Sequence, residues 1–145
     1  LKLNLSKKNG IYNFDTEIEI KNSPLSLKLV NYKKDEKIPS ILKIKGNFLN
    51  NKKINFDQIN YNENKNSFQV SKLKLNNNFK ISDLSKLKIN YINQNSKINN
   101  FSLVKEKKNK NTLFGDFIDA KQFIEDLFNY SKVLYRYKRK FHNDM

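Results

Sequence analysis

The chain has 145 residues, enough for one domain or a piece of a larger one, with 37% hydrophobic content and a formal charge of +15. It contains no Cys, which excludes a disulfide framework and a Cys-based zinc site. No run of about 18 apolar residues occurs, so no segment is a candidate transmembrane helix.

The charge is almost wholly lysine. Only Arg136 and Arg139 are arginine, the side chain suited to bidentate phosphate and guanine contacts. The lysines are spread along the chain rather than gathered in one patch, the pattern of a solvated face, and specific nucleic-acid binding is not expected. The apolar set is Ile, Leu, Phe and Tyr, which suits strands; with three Gly and two Pro, the turns fall to Asn and Asp. The chain opens on Leu1 rather than methionine and is read as a segment of a longer protein.

In chain order, "LKLNL" places Leu1, Leu3 and Leu5 on one side of a strand. "FDTEIEI" follows with Phe14, Thr16, Ile18 and Ile20 in phase, then "LSLKLV" with Leu25, Leu27 and Leu29. Residues 31–40 read as a charged connection closed by Pro39. Leu42, Ile44, Gly46 and Phe48 mark the next strand, and "INFDQINY" and "SFQVSKLKLN" two more. "SKLKLN" at 71–76 is echoed by "SKLKIN" at 85–90, as a repeating meander would write it. Phe101 with Leu103, and "TLFG" at 112–115, complete the strands. Short period-two runs joined by polar turns predict an antiparallel sheet with one wet face.

The phase slips twice, between Phe56 and Ile59 and between Val70 and Leu73. A one-residue slip inside a strand turns its second half inside out, so bulges are expected near Asp57–Gln58 and Ser71–Lys72, with a turn as the rival explanation.

From residue 116 the periodicity changes. Phe123, Ile124, Leu127, Phe128 and Leu134 share one helical face, and Asp119 with Gln122 has the spacing of a capping box. The predicted organisation is a sheet over 1–115, an amphipathic helix with a basic tail over 116–140, and a frayed terminus at 141–145. Size makes this division informative. Seven strands of about six residues present an apolar face of roughly 700 Å², and a helix of about 16 residues shields about 240 Å² of it. The remainder needs a fold-over, more chain or an apolar ligand.

Catalytic patterns are missing. The single histidine, His142, lies near the end of the chain, carboxylates are scattered singly, and Gly10, Gly46 and Gly115 form no phosphate loop. Neither enzyme activity nor a metal or cofactor is expected. "KVLYRYKRKF" at 132–141 mixes aromatic and basic residues, read as the basic end of the helix or a linker.

The stretch from "INFDQINYNENKNSFQVSKLKLN" through "FKISDLSKLKINYINQNSKINNFSLV" to "GDFIDAKQFIEDL" resembles the AsmA-like family of bacterial envelope proteins, which includes TamB-like and YhdP-like lipid-transport proteins. Here Gly115, Asp119 and Ala120 match a "G-x-x-x-D-A" segment that opens a short helix after a strand meander. The resemblance covers about residues 40–130. It implies a twisted β-sheet curled into a hydrophobic groove, periplasmic, in a parent protein anchored in the inner membrane and moving phospholipid outward. It implies no catalytic residues.

The fold class expected is mainly β: an antiparallel, curved sheet with one C-terminal amphipathic helix. The expected groove lining is Leu42, Ile44, Phe48, Phe56, Phe68, Val70, Leu75, Leu87, Ile89, Phe101 and Leu103. Its partners would be phospholipid acyl chains and neighbouring repeats of the same polypeptide. Two other readings stay open: a basic β-domain binding nucleic acid, as in a ribosomal or organellar accessory domain, and a purely structural β-domain of a surface protein. Aromatics on the lysine-bearing face would favour the first of these.

Overall fold

A computed structural model of the chain describes residues 1–27, 30–49, 53–106 and 110–119. These form ten strands: β1 (Lys2–Lys8), β2 (Ile11–Ile20), β3 (Leu25–Leu27), β4 (Tyr32–Lys34), β5 (Ser40–Leu49), β6 (Lys53–Glu63), β7 (Asn66–Leu75), β8 (Ile81–Ile92), β9 (Ile98–Lys105) and β10 (Asn111–Phe117). Eight of them make one antiparallel meander in the order β1-β2-β5-β6-β7-β8-β9-β10. Strands β3 and β4 pair only with each other, in the connection between β2 and β5. The predicted antiparallel sheet is the observed architecture, and it runs two residues beyond Gly115. Of the segment 116–140 expected to be helical, Asp116 and Phe117 belong to β10, and everything from residue 120, including Gln122, lies outside the described residues.

Alternation produces the two faces. In β2, Tyr12, Phe14, Thr16, Ile18 and Ile20 are partly buried, while Asn13, Asp15 and Glu19 between them are exposed. Asparagine closes most of the turns, because its short polar side chain tolerates left-handed backbone. Asn9 and Gly10, at φ 51° and 78°, form the tight link from β1 to β2. Two five-residue turns share one design, Asn76–Lys80 and Asn93–Lys97. In the first, Asn76 Oδ1 accepts from the N–H groups of Asn78 and Lys80 at 2.9 and 3.1 Å. In the second, Asn93 Oδ1 accepts from Asn95 and Lys97, both at 3.0 Å. The fourth residue of each is left-handed, Phe79 at φ 56° and Ser96 at φ 58°.

Both phase slips are absorbed inside strands. Gly46 pairs with Phe56 and Lys45 with Gln58, so Asp57 is an extra residue of β6. Level with it, Lys72 of β7 (φ 52°) and Ser85 of β8 are skipped in the ladders. One line of irregularity thus crosses three strands, and beyond it Ile59 and Tyr61 return to the face that carries Phe56. Gly46 belongs to the same feature. A Cβ there would lie 2.2 Å from the Asn55 carbonyl oxygen and 2.8 Å from the Phe14 ring, which packs across the gap.

The connection over residues 21–39 is the main departure from expectation. Residues 31–40 were expected to be a charged link, yet Tyr32 and Lys34 are buried and Lys33 between them is exposed. Folding back across the sheet end gives this lysine-rich stretch the alternation of a strand. The Lys34 ammonium is satisfied by the carbonyl oxygens of Lys21, Ser23 and Asp35 at 3.4, 3.1 and 2.9 Å, which removes the penalty of burying it unpaired.

Gly46→Ala is expected to cost about 3 kcal/mol, because backbone must move to admit the methyl group. Gly10→Ala, with nothing within 4 Å of the added carbon, should cost only about 1 kcal/mol of left-handed strain. Urea unfolding of the two variants checks the difference, and equal losses would contradict the tight packing at the bulge.

Candidate functional site

The sheet has one polar face and one apolar face, and the apolar face is ordered in rows that cross the strands. One row is paired link by link across all eight: Leu3, Thr16, Ile44, Ile59, Val70, Leu87, Leu103 and Leu113. None of these side chains is buried. A second row, on the strap side, runs Ile18, Leu42, Tyr61, Phe68, Ile89, Phe101 and Gly115. Across the bulge line, Phe14, Gly46, Phe56 and Leu73 form a third, and Tyr12, Phe48, Ile54, Leu75 and Ile81 a fourth. Aromatic rings pave these outer rows: Tyr12 stacks on Phe48 at 4.9 Å, and Phe14 meets Phe56 edge-on at 5.9 Å.

All eleven residues expected to line a groove therefore share this face. They are not equivalent. Among the described residues only Tyr32, Tyr61, Ile89, Tyr91 and Phe101 are buried hydrophobics, and they form one cluster at the end of the sheet under the 21–39 strap. Ile89 and Phe101 lie in that cluster, and Leu42, Phe68 and Leu87 pack against it. Ile44, Phe48, Phe56, Val70, Leu75 and Leu103 lie beyond it, only partly covered.

The cluster turns on Tyr32, which is 1% exposed and packs edge-on against Tyr61, Phe68 and Tyr91. Its hydroxyl donates to the Glu63 carboxylate, itself 4% exposed, and Tyr61 donates to the same oxygen at 2.8 Å. Asn66 Nδ2 reaches the other Glu63 oxygen at 3.4 Å. Tyr91 donates to the Val30 carbonyl at 2.6 Å, and the Gln94 N–H donates to the Asn31 carbonyl at 3.1 Å. The strap is thus fastened by buried hydroxyls as well as by ring packing. Sequence patterning missed this site because Tyr32, Lys34 and Glu63 stand in a lysine-rich link and at a strand end, where alternation carries no message. The signal available was "YKK", a period-two fragment within the supposed connection.

Asp119, expected to cap a helix, is tied to the adjacent turn. Its carboxylate accepts from Asn93 Nδ2 at 2.8 Å and lies 3.5 Å from the Lys97 ammonium, while its N–H donates to Asn99 Oδ1 at 2.6 Å. Gly115 lies at a further register shift, where a Cβ would approach the Asn100 carbonyl to 2.4 Å. A cleft of about 680 Å³ outside the strap is lined by Lys33, Lys34, Asp35, Glu36 and Lys37, with Pro24 and Gln94. Its charges are mixed and the Lys34 ammonium is already committed, so it is a poor anion site.

On β2 to β9 every aromatic side chain faces the apolar side; the lysine-bearing face there carries Asn, Gln, Ser and Lys with a few acids and aliphatics. Lys43 pairs with Glu17 across this face at 2.8 Å, and that hydrogen bond holds the Glu17 carboxyl below its usual range. Among the described residues no group of His, Cys, Asp and Glu could hold a metal, and no helix is long and apolar enough to cross a membrane. The chain matches no protein-family model, and comparison with curated proteins and with solved structures finds nothing similar.

Burial pushes the phenols of the cluster upward: Tyr32 and Tyr61 first through desolvation, with the Glu63 carboxylate adding to it, and Tyr91 to about 12, with Asp119 as the second cause. The folded protein holds these hydroxyls neutral at a pH where the unfolded chain ionises them, so their contribution is intact below pH 10 and falls as pH rises from there toward about 12 for Tyr91. Stability should drop by roughly 1 kcal/mol per pH unit for each such tyrosine over that window. Urea midpoints measured alongside tyrosinate absorbance check it; a midpoint independent of pH above 10 would contradict the buried cluster.

Proposed function

We propose that the uncovered apolar face is a trough for phospholipid acyl chains, within a segment of an AsmA-like envelope protein that passes lipid through the periplasm between inner and outer membranes. The observation that carries this reading is the row from Leu3 to Leu113, apolar but for Thr16 and with none of its side chains buried by the described chain. Eight strands make it about 34 Å long, roughly twice the ~15 Å depth of one leaflet's acyl chains.

The bulge line at Asp57, Lys72 and Ser85 runs in the same direction as the rows. Bulged strands bend, and bending along this line turns the Phe14 and Tyr12 rows toward the Ile44 and Leu42 rows. The result is a curled floor with headgroups left in water. Each buried CH₂ contributes about 0.8 kcal/mol. Because that gain is nearly the same from strand to strand, a chain can slide without a deep trap. No bond is made or broken, so the reading is not an enzyme. The exposed edges β1 and β10 suit continuation of the sheet by neighbouring repeats, with the inner-membrane anchor elsewhere in the parent protein. Placement of the β2–β9 aromatics on the apolar face favours this reading over a nucleic-acid surface, which would use rings beside lysines; of β10, Phe114 lies on the lysine-bearing face, level with Ser102 and Lys88.

A charge in the floor separates lipid binding from folding if the position lies clear of the strap. Phe68 and Leu87 both pack against the buried cluster, and Ile44 does not. Ile44→Asp should keep a cooperative unfolding transition and lose most photo-crosslinked phospholipid. Phe68→Asp should unfold the domain, at a cost of several kcal/mol for a carboxylate among rings. Wild-type protein that captures no lipid, or Ile44→Asp that captures as much as wild type, would overturn the trough.

A further inference from the structure

The two ends of the strands differ in charge and in what they expose. At the strap end, lysines are interspersed with Glu19, Asp35, Glu36, Glu63 and Asp119. At the opposite end, Lys7, Lys8, Lys53, Lys80 and Lys110 are all exposed. The acids described there are Glu106 and Asp83, and Asp83 is engaged by Lys105 at 2.6 Å and Lys74 at 3.9 Å. Among the described residues a positive rim therefore lies at one end of the sheet only.

An apolar tip projects within that rim. Phe79 is the fourth residue of the Asn76–Lys80 turn, with left-handed backbone at φ 56° and 72% of its surface exposed. The matched turn at the strap end carries Ser96 in the same position and conformation. A bulky residue in left-handed backbone is unfavourable, and an exposed ring gains nothing from burial. Asn or Gly would satisfy this turn better, so the fold does not account for the ring. Leu49 and Ile81, 50% and 66% exposed, lie along the same end.

We infer that this end docks onto an anionic phospholipid surface, with Phe79 entering the interfacial layer and the lysines meeting headgroup phosphates. An aromatic ring is suited to that boundary, and ammonium groups gain from the negative surface potential, about fivefold in affinity for each one close to it. A nucleic acid or other soluble polyanion would use the lysines and leave the ring in water, so it accounts for half of the arrangement. The docking goes beyond the trough and uses no residue of the paired floor from Leu3 to Leu113.

The chain has no Trp, so Phe79→Trp and Ser96→Trp each introduce a single indole at matched positions of opposite ends. With vesicles of phosphatidylcholine and phosphatidylglycerol, the Phe79→Trp emission should shift to the blue and be quenched by brominated acyl chains. Ser96→Trp should do neither, and pure phosphatidylcholine should give no response. Phe79→Asn should lower vesicle partitioning roughly tenfold while its thermal midpoint stays equal or rises. Ile44→Asp should partition like wild type, which keeps failure of the floor distinct from failure of docking. An indole at 79 that remains in water on bound vesicles, unchanged partitioning of Phe79→Asn, or oligonucleotide that displaces the protein from vesicles would overturn the proposal.

Discussion

Because side chains on a strand alternate with period two, the apolar face exists only if the phase slips in β6, β7 and β8 are cancelled. Asp57, Lys72 and Ser85 do this together, level with one another across three neighbouring strands. Were β6 regular throughout, Ile59, Tyr61 and Glu63 would point to the lysine side. The Tyr32 anchor would then have no acceptor, and the row through Ile44 and Val70 would be broken. Continuity of the face, seating of the strap and the direction in which the sheet can bend all follow from that line.

Stability is concentrated where the strap lies. A chain of this length with five buried hydrophobic residues among those described, three of them tyrosine, has a small core, and its fold leans on ladder hydrogen bonds and on Asn-closed turns. Tyrosine suits this arrangement, since each ring buries area and each hydroxyl finds a partner in Glu63 or the Val30 carbonyl. Burying Glu63 and Lys34 is tolerable for the same reason: Lys34 is met by carbonyl oxygens of the strap, and Glu63 by Tyr32 of the strap together with Tyr61 and Asn66 of the sheet. Among the described residues the sheet away from the strap is one layer thick, and its apolar rows are only partly covered.

The two ends of this single layer have different chemistry. One is closed by ring packing and balanced charge; the other carries unbalanced lysines and a ring held outward. Such polarity gives an otherwise repetitive meander an orientation, with a fastened side and an adhesive side. Lysine spread evenly in sequence is consistent with this, because a meander returns to the same end with every second turn.

Local pattern alone determined the strands of the main sheet, their antiparallel pairing, and the face shared by Leu42, Ile44, Phe56, Val70 and Leu103, and it located the irregularities at Asp57 and Lys72 without deciding between bulge and turn. Each of these depends on alternation over a few residues, which the chain writes directly. Tertiary structure decided what covers that face. Residues 31–40 of the strap read as a charged link, because Tyr32 becomes interior only when it meets Glu63 and Phe68, far away in sequence, and Lys34 only when the strap folds its own carbonyl oxygens around the ammonium. The charge difference between the two ends is invisible in the linear chain for a related reason: it appears only when alternate turns are gathered at opposite ends of the sheet.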